Sequence, residues 1–236
     1  PPLRPLPGLW WPPSNSGRGR GLTSAFRYTS GGFNHEEKFY AALEDFKFLP
    51  AGRIAAGAGT QRKVTLFTCF VMGTVPDDMG GIFDMLKEAA LTMQQVGGIG
   101  YDFSTIRPKV ALVKGVAADA SGPLSFMDVW DSMCRTIMSA GSRRGEMMAT
   151  LRCDHPDIED FMAANSDPAR LRMFNVSVLV TDPFMAAVKA DGDWDLVFEG
   201  QIYKTLSARK LWDQIMQSTY ESVSYTHLRA HETSNH

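Results

Sequence analysis

Apolar residues recur along this chain with two different periods, and the alternation of those periods predicts alternating helices and strands. From about His35, Phe39, Ala42 and Phe46 fall at spacings of three and four with Glu and Lys between them. That pattern predicts an amphipathic helix ending ahead of Leu49–Pro50, since the residue before a proline avoids helical geometry. Residues 64–73, VTLFTCFVMG, are almost unbroken in apolar, β-branched and aromatic side chains. They read as a strand buried on both faces. Pro76, Asp77 and Asp78 open a helix with Phe83, Leu86, Ala90 and Met93 on one face; Gly97, Gly98 and Gly100 end it, and a short strand follows over residues 99–103. Residues 104–120 read as loop. Gly122 and Pro123 begin another helix, with Pro where its missing N–H costs nothing and a stripe of Phe126, Trp130, Met133 and Ile137.

Beyond it the pattern predicts a strand over residues 147–152, a capped helix over 154–164 and a buried strand over 171–181. A hairpin over 195–205 turns at Glu199 and Gly200, and a last helix, N-capped by Ser207, runs through Leu211, Ile215 and Met216. Strands and helices alternate without internal repeat or linker, which is α/β organisation. The predicted unit spans residues 34–221. Residues 1–33, rich in Pro, Gly, Ser and Arg, show neither period and read as disordered or foreign to the domain. Residues 222–236 break the amphipathic pattern and hold three of the five histidines, and they read as a foreign tail of vector or adapter origin.

Composition narrows the function. Of 236 residues, 44% are hydrophobic, enough for a packed core, and the net charge of −2 offers no bulk attraction to nucleic acid or an anionic membrane. A nucleotide must therefore bind in a local pocket. The three cysteines, Cys69, Cys134 and Cys153, are odd in number and in no ligand spacing, which fits a reduced cytoplasmic protein better than a disulfide scaffold or a zinc site. No apolar run reaches the roughly 18–20 residues that span a bilayer. A first residue of Pro, not Met, reads as a fragment.

Local patterns leave several chemical readings open. Cys69 in an apolar strand reads first as a small core residue, because a redox thiol needs access and a partner. The run Gln94 to Gly100 lets backbone approach a ligand closely, or is simply a tight turn; its helix, glycine, strand order is not that of the dinucleotide fingerprint. Arg107, Lys109 and Lys114 on a loop can hold phosphate or merely be solvated. Ser142, Arg143 and Arg144 between two glycines can hold an anion, or cap a helix whose carbonyl end attracts them. Asp154, Asp157, Glu159 and Asp160 form a carboxylate cluster expected in a helix's first turn without any metal.

Taken in order, TLFTCFVMG, DDMGGIFDMLKEAALTMQQVGGIGYDFSTIRP, VKGVAADASGPLSFMDVWDSMCRTIMSAGSRRGEMMATLRCDHPDIEDFM and RLRMFNVSVLVTD resemble the adenosylcobalamin-dependent ribonucleotide reductases from about Glu36 to Tyr220. The resemblance implies an α/β fold: the first half of a ten-stranded α/β barrel made of two five-stranded halves, with flanking helices. It implies a thiyl-radical enzyme that converts ribonucleoside diphosphates to 2′-deoxyribonucleoside diphosphates. Two cysteines supply the reducing equivalents and end as a disulfide, which a thioredoxin-like reductant reopens. Cys69 matches the first of those two cysteines, which reverses the core reading. Thr68, Gly97, Gly98 and Arg144 match positions beside the substrate. Asp77, Arg107, Lys114, Ser142 and Arg143 match positions that hold a deoxynucleoside triphosphate effector or relay its identity.

The resemblance further implies adenosylcobalamin as cofactor of the full-length parent and no nucleic-acid or membrane partner, and it leaves a homodimer open. The motif with the radical cysteine, the second reductant cysteine and the second half-barrel are absent from these residues, so the chain alone is expected to be inactive. Near Pro50, Ala51-Gly52-Arg53 stands where many relatives carry a hydroxyl residue, and Val96 replaces a common glycine. Two alternatives remain: a nucleotide-binding regulatory module, and a catalytic subunit that takes its radical from a partner's metal site.

Overall fold

The computed structural model describes residues 36–58, 66–94, 97–109, 111–112, 119–138, 147–166, 170–222 and 227–229. The segment 1–33 lies outside them. So do Lys114 and the whole arginine loop, Ser142, Arg143 and Arg144 included. The chain divides into two compact units, one up to Thr68 together with residues 95–97, the other holding the rest.

In the first unit, helix α1 (Glu36–Leu43) runs into a single 3₁₀ turn (Glu44–Phe46), and α2 (Gly52–Gly57) follows Pro50. Leu43 and Ala58 form its buried apolar cluster, with Ile54 and Leu66 packed against them. Phe46, predicted on the buried face, is exposed: Asp45 and Phe46 adopt positive φ (54° and 59°), so the chain leaves the helical register before reaching it.

The second unit is built in the order β1 (Cys69–Thr74), α3 (Met79–Gln94), β2 (Gly98–Asp102), α4 (Gly122–Met138), β3 (Met147–Arg152), α5 (Ile158–Ser166), β4 (Phe174–Val180), α6 (Asp182–Ala190), the hairpin β5 (Asp193–Phe198) and β6 (Gln201–Ser207), α7 (Ala208–Ser222) and β7 (His227–Arg229). The main sheet is ordered β1-β2-β3-β4-β7 and all its pairings are parallel. β7 falls in the segment read as a tail; it pairs with Val178, Leu179 and Val180. A parallel sheet needs helical crossovers, which supply an apolar layer against one face. That layer and the sheet share one core, in which Tyr101, Phe103, Met147, Leu151, Val176 and Val178 meet Trp130, Ile158, Phe161 and Leu211. Trp130 and Phe103 are fully buried, and the rings of Tyr101, Phe103 and Trp130 meet edge to face with centroids 5.7–6.4 Å apart.

Three expectations change. Of the strand read over residues 64–73, the described residues 66–73 are not buried on both sides: β1 starts at Cys69, lies at the sheet edge, and exposes Cys69 and Val71 on the face away from the helices. α3 buries Ile82, Ala89 and Met93 while Phe83 is exposed. α4 buries Met127, Trp130, Asp131 and Cys134, with Phe126 and Met133 only partly covered. Both helices carry two overlapping apolar stripes, and the position of the sheet selects between them. Asp131 tolerates burial because it accepts the Met173 N–H at 2.9 Å and pairs with Arg135 at 3.3 Å.

The hairpin turns where expected, with positive φ at both Glu199 (48°) and Gly200 (80°), the twist a two-residue hairpin loop requires. α6 has no counterpart in the sequence reading, although Thr181-Asp182-Pro183 is a legible start signal. Thr181 caps it by accepting the Phe184 N–H at 3.3 Å. Thr181→Ala is expected to cost about 1 kcal/mol, read as a lower urea midpoint at unchanged slope, and Thr181→Ser is expected to restore most of it.

Candidate functional site

The sheet face opposite the helices carries the exposed thiol Cys69. Cys69 pairs with Gly98 and Val71 with Gly100 in parallel register. Gly100 pairs with Met148, and Met148 with Asn175; two residues further along each strand, Asp102, Thr150 and Ser177 lie side by side in the same way. Paired residues point to the same side of a sheet, and alternate residues to opposite sides. Since Ile99, Tyr101, Met147 and Val176 occupy the core side, the open side holds Cys69, Val71, Gly98, Gly100, Asp102, Met148, Thr150, Asn175 and Ser177. Thr150 and Ser177 on this side are buried, whereas Cys69 and Val71 are exposed, and Gly98 pairs directly beside the thiol. A molecule lying there meets backbone at Gly98 and sulfur at Cys69 without an intervening side chain.

The three cysteines differ in what they can do. All are free thiols; Cys69 is exposed and the other two are buried. Burial pushes the thiols of Cys134 and Cys153 up to about 11, which keeps them protonated and unreactive near neutrality. Accessibility therefore singles out Cys69. Thr68, immediately before β1, is exposed, and Gly97, immediately before β2, is buried.

Asp77 and Arg107 meet at the carboxyl end of the sheet. Arg107 donates from Nε to both carboxylate oxygens of Asp77 at 2.9 and 3.1 Å, and its backbone N–H donates to the same carboxylate at 3.1 Å. Asp78 fixes the start of α3 by accepting the Gly81 N–H at 2.8 Å. The guanidinium is thus held from one edge, and none of these bonds uses Nη1. Beside it, Asp102 accepts the Ser104 N–H at 3.0 Å, Ser104 Oγ accepts the Arg152 N–H at 2.9 Å, and Arg152 pairs with Asp154. Sequence reasoning passed over Asp102, Ser104 and Arg152. Their only signal was a position at the carboxyl ends of parallel strands, where α/β sheets bind ligands.

Of the carboxylate cluster, Glu159 pairs with Lys204, Asp154 with Arg152, and Asp157 accepts the Lys109 N–H at 3.0 Å. Among the described residues no three His, Cys, Asp or Glu side chains gather as a metal site, and no helix is long and apolar enough to cross a membrane.

A family profile described as ribonucleotide reductase, barrel domain, matches residues 67–235. The chain is 37% identical over 187 residues to a vitamin B12-dependent ribonucleoside-diphosphate reductase of Mycobacterium tuberculosis, a match covering 78% of this chain and 27% of that protein. It is 36% identical over 198 residues to a protein of the same description from Thermoplasma acidophilum, covering 83% of this chain and 25% of the relative. A ribonucleoside-diphosphate reductase subunit alpha of Helicobacter pylori is 30% identical over 187 residues, covering 78% and 23%. The chain spans about a quarter of the length of these curated relatives.

Proposed function

Because the chain belongs to the ribonucleotide reductase family through its barrel domain, we propose that it forms the reductant-thiol half of a ribonucleoside-diphosphate reductase active site, together with part of its effector site. The observation that carries this reading is the pairing of exposed Cys69 with Gly98 on the open sheet face. Identity of 36–37% to proteins named vitamin B12-dependent, against 30% to a subunit alpha, favours adenosylcobalamin as the radical source of the full-length protein. When bound, that cofactor supplies the radical. No described residue is assigned to holding it, and the roles below belong to this chain's own residues.

Thr68, Gly97, Gly98 and Arg144 are the residues assigned to the substrate. Once a radical on the full-length protein has removed a ribose hydrogen, Cys69 and a second thiol from the remainder of the protein give up two electrons and two protons. The 2′-hydroxyl leaves as water, the removed hydrogen returns to the ribose, and the two sulfurs join as a disulfide. A thioredoxin-like dithiol then reduces that disulfide. Asp77 orients Arg107 so that its remaining N–H donors face the phosphates of a deoxynucleoside triphosphate, with Lys114, Ser142 and Arg143 completing the site.

Deoxynucleoside triphosphates are expected to raise the unfolding midpoint of the 236-residue chain, since a ligand of the folded state stabilises it by mass action. Arg107→Met is expected to weaken that protection about tenfold, the loss of one charge-assisted contact. No protection at millimolar nucleotide would remove the effector reading. Cobalamin-dependent formation of deoxynucleotide by this chain alone would contradict its expected inactivity.

A further inference from the structure

His155 lies at the turn between β3 and α5, only 2% exposed, with Phe198 of β5 packed edge-on against its ring at 5.8 Å. Its two nitrogens have partners of opposite kind. Nε2 lies 2.9 Å from the carbonyl oxygen of Ile106, which can only accept, so Nε2 carries the proton. Nδ1 lies 3.0 Å from the backbone nitrogen of Asp157, which can only donate, so Nδ1 is bare. The Asp157 carboxylate in turn accepts the Lys109 N–H. This contact is possible because Gly122, at φ +76°, has no Cβ; one there would stand 2.8 Å from Asp157 Oδ2 and 3.1 Å from the Lys109 nitrogen. The loop from Phe103 to Lys109 is therefore gripped at Ile106 and Lys109 by a single buried imidazole and the turn it organises, and between those grips stands Arg107.

We propose that His155 is a positioning residue for the Arg107 loop, holding it while the ring is neutral and releasing it when the ring gains a second proton. A proton on Nδ1 would face the Asp157 N–H, donor against donor in a dry site. The turn must then open, and the Lys109 contact goes with it. The acidic groups around the ring are Asp154 and Asp157 on its own turn and Asp102 from β2; Phe198 brings no charge.

Burial outweighs these carboxylates and lowers the ring below its ordinary value near 6.5. In the folded state the ring therefore binds its second proton less readily than in the unfolded chain. Stability from this group is complete above about pH 6.5 and is lost as the pH falls below it. Asp157 is raised by burial and runs the other way, contributing stability at low pH that is lost as its carboxylate ionises.

The effect on nucleotide binding rests on the effector reading, whereas the grip on the loop does not, and the test separates the two. Amide exchange of Arg107, Lys109 and Asp157 is measured on the 236-residue chain between pH 8 and 5, corrected for intrinsic exchange. The ring nitrogens of His155 are followed by ¹⁵N shifts, and dATP and dTTP serve as binding probes. Protection of the Lys109 and Asp157 amides is expected to fall roughly tenfold per pH unit once the ring titrates, and nucleotide affinity with it. In His155→Asn, whose amide oxygen can accept the Asp157 N–H without titrating, and in His155→Gln, whose amide can donate to Ile106, protection is expected not to change with pH. Wild-type protection that stays flat from pH 8 to 5, or a proton found on Nδ1 at neutral pH, would overturn the proposal whatever the variants do. Protection that switches with the ring while neither nucleotide binds at any pH supports the positioning role and removes the effector reading.

Discussion

In the full-length protein, Cys69→Ser is expected to lower multiple turnover by roughly a thousandfold or more while leaving deoxynucleotide binding within about twofold. The hydroxyl matches the thiol in shape and polarity but cannot form the disulfide that carries away two electrons. The Asp77–Arg107 pair assigned to the deoxynucleotide is untouched, so that binding survives. Cys153→Ala is the control. Its thiol is buried, raised to about 11 and remote from the open face, so the loss should appear as stability, not as turnover. On the 236-residue chain, a thiol reagent should label one cysteine quickly and the other two only on unfolding. A Cys69→Ser protein that keeps turning over with a dithiol would end the assignment.

Trp130→Ala is expected to be the most damaging single change to the fold, lowering the free energy of unfolding by about 3–5 kcal/mol. The indole is fully buried between Tyr101 and Phe103, and its N–H finds no hydrogen-bond partner among the described residues, so it contributes packing alone. The void would open where α4 meets Tyr101 and Phe103 in the shared core. Phe83→Ala, a comparable truncation on the exposed side of α3, should cost under about 1 kcal/mol. Urea unfolding of both variants checks the contrast. Equal losses would mean that the exposed stripe of α3, not the sheet-facing one, supports the fold.

That contrast marks what periodicity can and cannot tell. The residues of α3 and α4 announce helices, yet each helix offers two apolar stripes about one residue apart. Only the sheet, assembled from strands far away in sequence, selects Ile82 over Phe83 and Met127 over Phe126. The strands over 147–152 and 171–181 were legible because one face of each is apolar throughout, Met147, Ala149 and Leu151 in the first and Phe174, Val176, Val178 and Val180 in the second. The true bounds of β1 were not, because 64–68 share its composition and only pairing with β2 marks where the ladder begins.

The site divides in the same way. Cys69 and Gly98 stood out through family resemblance, since a cysteine in an apolar strand otherwise looks like core. Asp77 and Arg107 were picked out as separate ligand contacts; that they hold each other follows from a 30-residue separation that no local pattern encodes. His155 drew no reading of its own beside the carboxylates of its turn, because a buried histidine has no periodic signature and its partners are two backbone groups that no local pattern marks.

The parallel sheet also has a kinetic consequence. Every rung between neighbouring strands waits for a crossover to be completed, so no two strands of that sheet can nucleate as a local hairpin. Among the described strands, β5 and β6, joined by two residues, can zip early and alone. Assembly therefore begins at the small peripheral ribbon and the helices, and the surface that bears Cys69, on the outermost strand, is among the last parts of the molecule to take shape.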